Sequence, residues 1–348
     1  MLQGKNRGGN LRQISEKSPQ DLFCKKQPRC NGRIFDCQFF HADAWVCMAE
    51  NAEERRYDWV EYEDGTLLGR KGECVNKIKV DSWWRWVFFH CSYCLCKCDE
   101  VSSESDRFFS LEPALADLSD NRIVTGVRLV KRGRVIYPQV EQAVALAEGG
   151  VAEGTRTWVE PTVVNTTDTD VLLNSNKVFT MSYEQRAMDM DSLQAPSGHV
   201  LTGVKFRNLG GHLNLEIQIT PVEFTTGKVL AHRAIWIAND NTPATLKPRA
   251  LVPIIMPDVP TKYLGQNLID TTSDQYIVFD ATSAHKDVSQ TTVPFIDGQP
   301  VAPRPATWLA GAGLYHKVGR GNVSTTGDWR RTNNDIYRAE WDTVALSA

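Results

Sequence analysis

Histidine and cysteine fall at metal-knuckle spacing in His90-Cys91-x-x-Cys94-x-Cys96-x-Cys98. Imidazole and thiolate are ligands that zinc prefers, and a two-residue gap between cysteines suits its tetrahedral shell. Two features oppose a metal centre. No second Cys-x-x-Cys pair follows, and Cys24, Cys30, Cys37, Cys47 and Cys74 are scattered as in a disulfide framework. Cys94, Cys96 and Cys98 alternate, so on a strand they share one face, from which each can bridge to a neighbouring strand. The reading adopted is disulfides and no metal. Nine cysteines is an odd number, which leaves one thiol free or paired with another chain.

Acid–base chemistry has two candidate groupings. Asp280, His285 and Asp287 lie close together in Asp280-Ala-Thr-Ser-Ala-His285-Lys-Asp287, and His316 stands further on. An acid beside a histidine fits a hydrolase fragment, but such clusters are more often solvated turns. Asp189 and Asp191 offer oxygen ligands for calcium. No spaced run of ligands ending in glutamate follows them, so this is not an EF-hand loop. The blander reading is a helix end or a turn. No Walker loop, G-x-G-x-x-G or G-x-S-x-G occurs. No catalytic residue and no cofactor is therefore assigned.

Binding chemistry centres on Trp83-Trp84-Arg85-Trp86, where aromatics flank a cation and form a platform for sugars or cations. Tryptophans used simply as core are the competing reading. Trp308 and Trp329 are further stacking candidates.

These residues must be positioned by a chain of 348 residues with net charge −3. That balance gives no nucleic-acid footprint, and no apolar run is long enough to span a membrane as a helix. Residues 1–20 are polar and aperiodic, and are expected to be a disordered tail. Residues 21–100 read as a cysteine-rich β segment with strands at Arg33–Phe40, Ala44–Ala49, Tyr57–Tyr62 and Val75–His90. Residues 101–348 read as a β-rich body of short strands separated by Gly, Asn, Asp and Pro. One helix is expected at Tyr183–Leu193, with Ser182 as its N-cap. Gln139–Ala147 fits either an outgoing strand or a short helix.

The body carries an internal repeat. Thr125-Gly126-Val127 matches Thr202-Gly203-Val204 at an offset of 77 residues (202 − 125). A glycine turn follows each copy, at Gly133 and at Gly210-Gly211, and then a second alternating strand. The repeated glycine marks a bulge or a close backbone approach. Leu213, Leu215, Ile217 and Ile219 share one strand face, expected to be buried. Asn214, Glu216 and Gln218 share the other, expected to be wetter. Two related units are expected, at about 108–180 and 181–348. The fold class is all-β, with repeated antiparallel hairpins forming sandwich or jelly-roll-like or β-prism-like domains behind a disulfide-rich N-terminal segment.

Several words resemble the body of an arthropod family of secreted proteins known only as a domain of unknown function. They fall at residues 96–100, 106–111, 122–129, 200–206, 212–216, 290–297 and 313–317. The resemblance covers about 96–317, and implies secretion and a β-rich body but no ligand or reaction. The N-terminus as it stands has no signal peptide, although the cysteine density suits an oxidising compartment. Asn165 and Asn322 head N-glycosylation sequons. The function expected is a secreted extracellular binding or structural module, glycosylated and disulfide-bonded, with an extracellular protein or glycan as partner. A lectin-like carbohydrate-binding protein is the alternative, and a secreted hydrolase using His285 or His316 is the third.

Overall fold

The computed structural model describes residues 10–13, 33–40, 43–50, 57–80, 83–85, 89–91, 93–99, 106–164, 169–241, 248–259, 267–288, 291–319 and 342–347. Among the described residues the chain is all-β apart from one helix of five residues, Thr169–Leu173, and a few 3₁₀ turns.

Ahead of the body lie two small sheets and a hairpin. In one sheet Tyr93–Asp99 is flanked by Arg33–Phe40 and Asn10–Gln13. Asn10–Gln13 was expected to belong to a disordered tail. It is instead a strand, with Leu11 opposite Leu95, because four residues are too few to show a period and a free sheet edge recruits them. The other sheet runs in the order Leu67–Gly69, Tyr57–Tyr62, Ala44–Met48, Asn76–Val80. Cys47 and Cys74 are joined by a disulfide across it. The strand expected at Val75–His90 is divided. Asn76–Val80 stays in the sheet, while Trp83–Arg85 and Phe89–Cys91 pair with each other as a hairpin.

In the body the repeat is a repeat of structure. Arg122–Arg132 pairs with Val135–Val144, and His199–Leu209 pairs with His212–Glu223. Both ladders slip at the same place, between Val124 and Gly126 in the first and between Leu201 and Gly203 in the second. A lead strand runs parallel to each return strand. Phe108 lies opposite Val135, and Ala187 lies opposite His212; the return-strand partners are again 77 residues apart (212 − 135), the lead-strand residues 79 (187 − 108).

Residues 181–348, expected as one unit, hold a third hairpin as well. Gly311–Gly319 pairs with Asp342–Ser347, and the lead strand Phe295–Ile296 runs parallel to the latter. Each lead strand then passes to the next hairpin. Ala114–Leu115 adds to His199–Leu209, Ser192–Gln194 adds to Gly311–Gly319, and Val301 bridges to Val127. The exchange closes a cycle of three hairpins, and the donated strands cover edges that would otherwise stay open. Phe109, Met188 and Ile296 from the lead strands meet Leu129, Phe206 and Leu314 from the hairpins in one core.

The shared glycine stands where the donated strand crosses. A Cβ at Gly126 would overlap Ala302, one at Gly203 the tip of Leu115, and one at Gly311 the backbone carbonyl of Leu193. The three substitutions should therefore differ. Gly311→Ala meets backbone that cannot move aside and should cost about 1–3 kcal/mol. Gly203→Ala meets a partly exposed side chain and should cost less, with Leu115→Ala restoring most of the loss. Thermal melts of the two single variants and the double variant measure this, and equal shifts would remove the close crossing as the reason for glycine.

The helix expected at Tyr183–Leu193 is replaced by the strands Ala187–Met190 and Ser192–Gln194. Met188 and Met190 enter the core while Asp189 and Asp191 alternate to the opposite face, which is the period of a strand. Ser182 closes a turn with Gln185 and caps no helix. Gln139–Ala147 begins as the return strand, which runs to Val144.

Candidate functional site

The outer face of the second hairpin holds the densest polar cluster. Asp189 and Asp191 are each 1% exposed. His212 Nδ1 lies 2.7 Å from Asp189 Oδ1, and Asn214 Nδ2 donates to Oδ2 at 2.8 Å. Arg249 reaches both acids. Its Nη1 donates to Asp191 Oδ1 at 2.8 Å and its Nε lies 3.3 Å from Asp189 Oδ2. Nη2 is 2.7 Å from Asp191 Oδ2, a charge contact whose angle is poor for a hydrogen bond. Nη2 donates instead to the Asn239 carbonyl at 2.9 Å. Asn239 Nδ2 bonds both Asp191 and Asp274. Burial opposes the Arg249 charge, but the hydrogen bond to Asp191 and the charges of Asp189, Asp191 and Asp274 outweigh it and raise its pKa.

A guanidinium thus lies against both carboxylates that the sequence offered as calcium ligands. The cluster ties together the lead strand, the return strand and two loops. It also draws Asn214 inward. Asn214 was expected on the wetter face and is fully buried, while Glu216 and Gln218 are partly exposed and Leu213, Leu215, Ile217 and Ile219 are fully buried as expected.

The other acid–histidine candidates do not converge. Asp280 pairs with Lys97 at 2.8 Å and Arg186 at 3.4 Å. Asp287 is buried and accepts from the hydroxyls of Thr282 at 3.0 Å and Thr291 at 2.9 Å. His285 is exposed between them. His316 is buried elsewhere, with Nδ1 2.7 Å from Asp270 Oδ1. No group of three or more His, Cys, Asp or Glu that could hold a metal occurs among the described residues.

Of the predicted platform, Trp83, Trp84 and Arg85 lie on the first strand of the small hairpin, and Trp84 is opposite His90. Trp86 and Trp329 lie outside the described residues, as do Cys24, Cys30, Asn165 and Asn322. Cys37, Cys91, Cys94 and Cys98 lie on strands. Cys96 is disulfide-bonded, which removes it from a thiolate set. Trp308 is tied inward, its indole N–H donating to the Gly150 carbonyl at 2.7 Å.

Four tryptophans that the sequence reading passed over carry the cation–aromatic chemistry. Arg128 lies 4.1 Å above the ring of Trp158, and Lys205 lies 4.2 Å from that of Trp236. The two pairs are equivalent. Arg128 and Lys205 are 77 residues apart, and Trp158 and Trp236 lie opposite Glu141 and Gln218, which are also 77 apart. The second strand of each hairpin adds a polar neighbour. Arg128 Nε donates to Gln139 at 2.7 Å, and Lys205 Nζ is 3.0 Å from Glu216. Trp45 and Trp59, in the four-stranded sheet, each have lysines above the ring. The repeat offset of 77 carries Trp158 to Ile235, one residue short of Trp236, so the strand pairing is needed to show that the first two are equivalent. The pattern of Trp45, Lys77 and Lys79 needs the strand register.

No helix among the described residues is long and apolar enough to cross a membrane. No curated protein matches the chain. Residues 6–140 match a family model described as "Domain of unknown function (DUF4803)", a match that spans the cysteine-rich segment and most of the first hairpin. The match takes in the words at 96–100, 106–111 and 122–129 and stops before the later ones.

Proposed function

We propose that this chain is a secreted binding or structural module that acts through its outer β faces and not by turnover. The observation that carries the reading is the pair of equivalent cation–tryptophan sites, Arg128 with Trp158 and Lys205 with Trp236. Both tryptophans and both cations are partly exposed. The acids and histidines that acid–base chemistry would need are instead held in separate internal contacts, as described for Asp189, Asp287 and His316. The Cys47–Cys74 disulfide supports an oxidising, extracellular setting. An extracellular protein or a glycan is the partner. A glycan is favoured by the tryptophans, since an aromatic face with a cation beside it suits a sugar ring bearing polar groups.

A glycan array probed with the whole chain and with Trp158→Ala/Trp236→Ala tests this. Binding by the natural chain and its loss in the double variant, with the melting temperature kept within a few degrees, is the expected result. Binding that survives both substitutions would move the site off these faces.

A further inference from the structure

The four-stranded sheet between residues 44 and 80 has two faces of opposite character, because strand side chains alternate. Val46, Val60, Tyr62, Leu68 and Val80 face inward and pack with Val288. The outward face carries two rows. Lys79, Trp45 and Glu61 lie side by side on adjacent strands, as do Lys77, Cys47 and Trp59. Lys71 follows the edge strand.

Three lysines cluster over two tryptophans here. Lys77 Nζ is 4.4 Å from the Trp45 ring centroid and 5.5 Å from that of Trp59. Lys79 is 6.0 Å from Trp45, and Lys71 is 5.6 Å from Trp59. Lys71 bonds Glu61, and Lys79 lies 3.5 Å from Asp43. Lys77 has no carboxylate partner among the described residues. Among the described residues this face therefore sets three lysines beside two carboxylates, on a chain whose net charge is −3. Trp45 is 38% exposed. The indole N–H of Trp59 is buried beneath the lysines and has no acceptor among the described residues. The disulfide from Cys47 to Cys74 fixes the segment that leads into the lysine strand.

We infer that this face binds an acidic polysaccharide, with a sugar ring stacked on Trp45 and sulfate or carboxylate groups on Lys77 and Lys79. The inference rests on the binding-module reading and names a ligand class and a third surface for it. Charge selects an anion, and the two lysines are about 6.6–6.8 Å apart along one strand, a spacing that reaches successive charged groups on one chain. The broad exposed indole selects a sugar over an acidic peptide, which would use the lysines alone. Lysines on flexible stems leave the rings to meet a stronger anion, and a shift of Lys71 or Lys77 would open the Trp59 N–H to an acceptor.

The test measures binding of the whole chain to heparin, hyaluronan, neutral dextran and polyglutamate, with Lys77→Gln/Lys79→Gln and Trp45→Ala as variants. All three residues are exposed and outside the inward core, so the variants should melt near the natural temperature. The expected result is heparin binding that exceeds dextran binding, weakened about fivefold to tenfold by the double lysine variant and weakened also by Trp45→Ala. Heparin binding that is absent, or unchanged in the variants, overturns the inference. Polyglutamate bound as well as heparin, with Trp45→Ala silent, overturns it in favour of an acidic peptide. Array binding that depends on Trp158 and Trp236 while heparin fails would strike this site alone and leave the proposed function standing.

Discussion

Arg249→Met should be among the most damaging single substitutions in the protein, costing about 3–5 kcal/mol. The side chain is almost fully buried and is the cation that compensates Asp189 and Asp191, both 1% exposed. Methionine keeps much of the volume, so the effect reports charge more than a cavity. What remains is a pair of carboxylates with hydrogen bonds but no counter-charge, and an uncompensated buried charge is the costly outcome of breaking such a pair. The loss should be coupled to the acids. Asp191→Asn in the Arg249→Met background removes one surplus charge and should restore part of the stability, whereas Asp191→Asn alone should destabilise. Chemical denaturation of the four proteins gives the cycle. Strict additivity of the two substitutions would show that the guanidinium is not the partner of the acid.

This cluster also marks the limit of what the sequence disclosed. Asp189 and Asp191 were visible as a pair of acids two residues apart. Nothing local indicates that Arg249, about sixty residues on, is the arginine that goes inside, because burial of a charge is decided by which loops meet and not by any period. The same contact buries Asn214 against the alternation that placed Leu213, Leu215, Ile217 and Ile219 correctly. The strands Arg33–Phe40 and Tyr57–Tyr62 were legible to the residue because aromatic and β-branched residues are concentrated in them, even though the pairing of each slips once. The helix at Tyr183–Leu193 failed because Ser182 and Glu184 imitate a cap while Met188 and Met190 keep a strand's period. The third hairpin was hidden for two reasons. Its word, Ala310-Gly311-Ala312, keeps only the glycine. Its two strands are separated by residues 320–341, where the first two hairpins turn in two residues. The tryptophan sites slipped past because a single added residue after the return strand changes the offset from 77 to 78, the separation of Trp158 and Trp236.

Leu215→Ala is the counterpart test of the apolar side of the same strand. Leu215 is fully buried, opposite Phe206, in the core shared by all three hairpins. Truncation removes buried methyl groups and leaves a cavity that a closed cycle of strands cannot easily collapse into, so the expected loss is about 2–5 kcal/mol. Glu216 is the next residue and points to the outer face, where it meets Lys205 at 3.0 Å with part of its side chain in solvent. Glu216→Ala should cost no more than about 1 kcal/mol, the scale of an exposed ion pair. Neighbouring residues on one strand would then differ severalfold in effect, for no reason but the face they occupy. Core truncation at Leu129 or Leu314, which stand at the same place as Phe206 in the other two hairpins, should melt the whole body in one transition as Leu215→Ala does. Separate transitions for the three hairpins would mean that each buries its own core, and would break the link between the donated strands and the stability of the cycle.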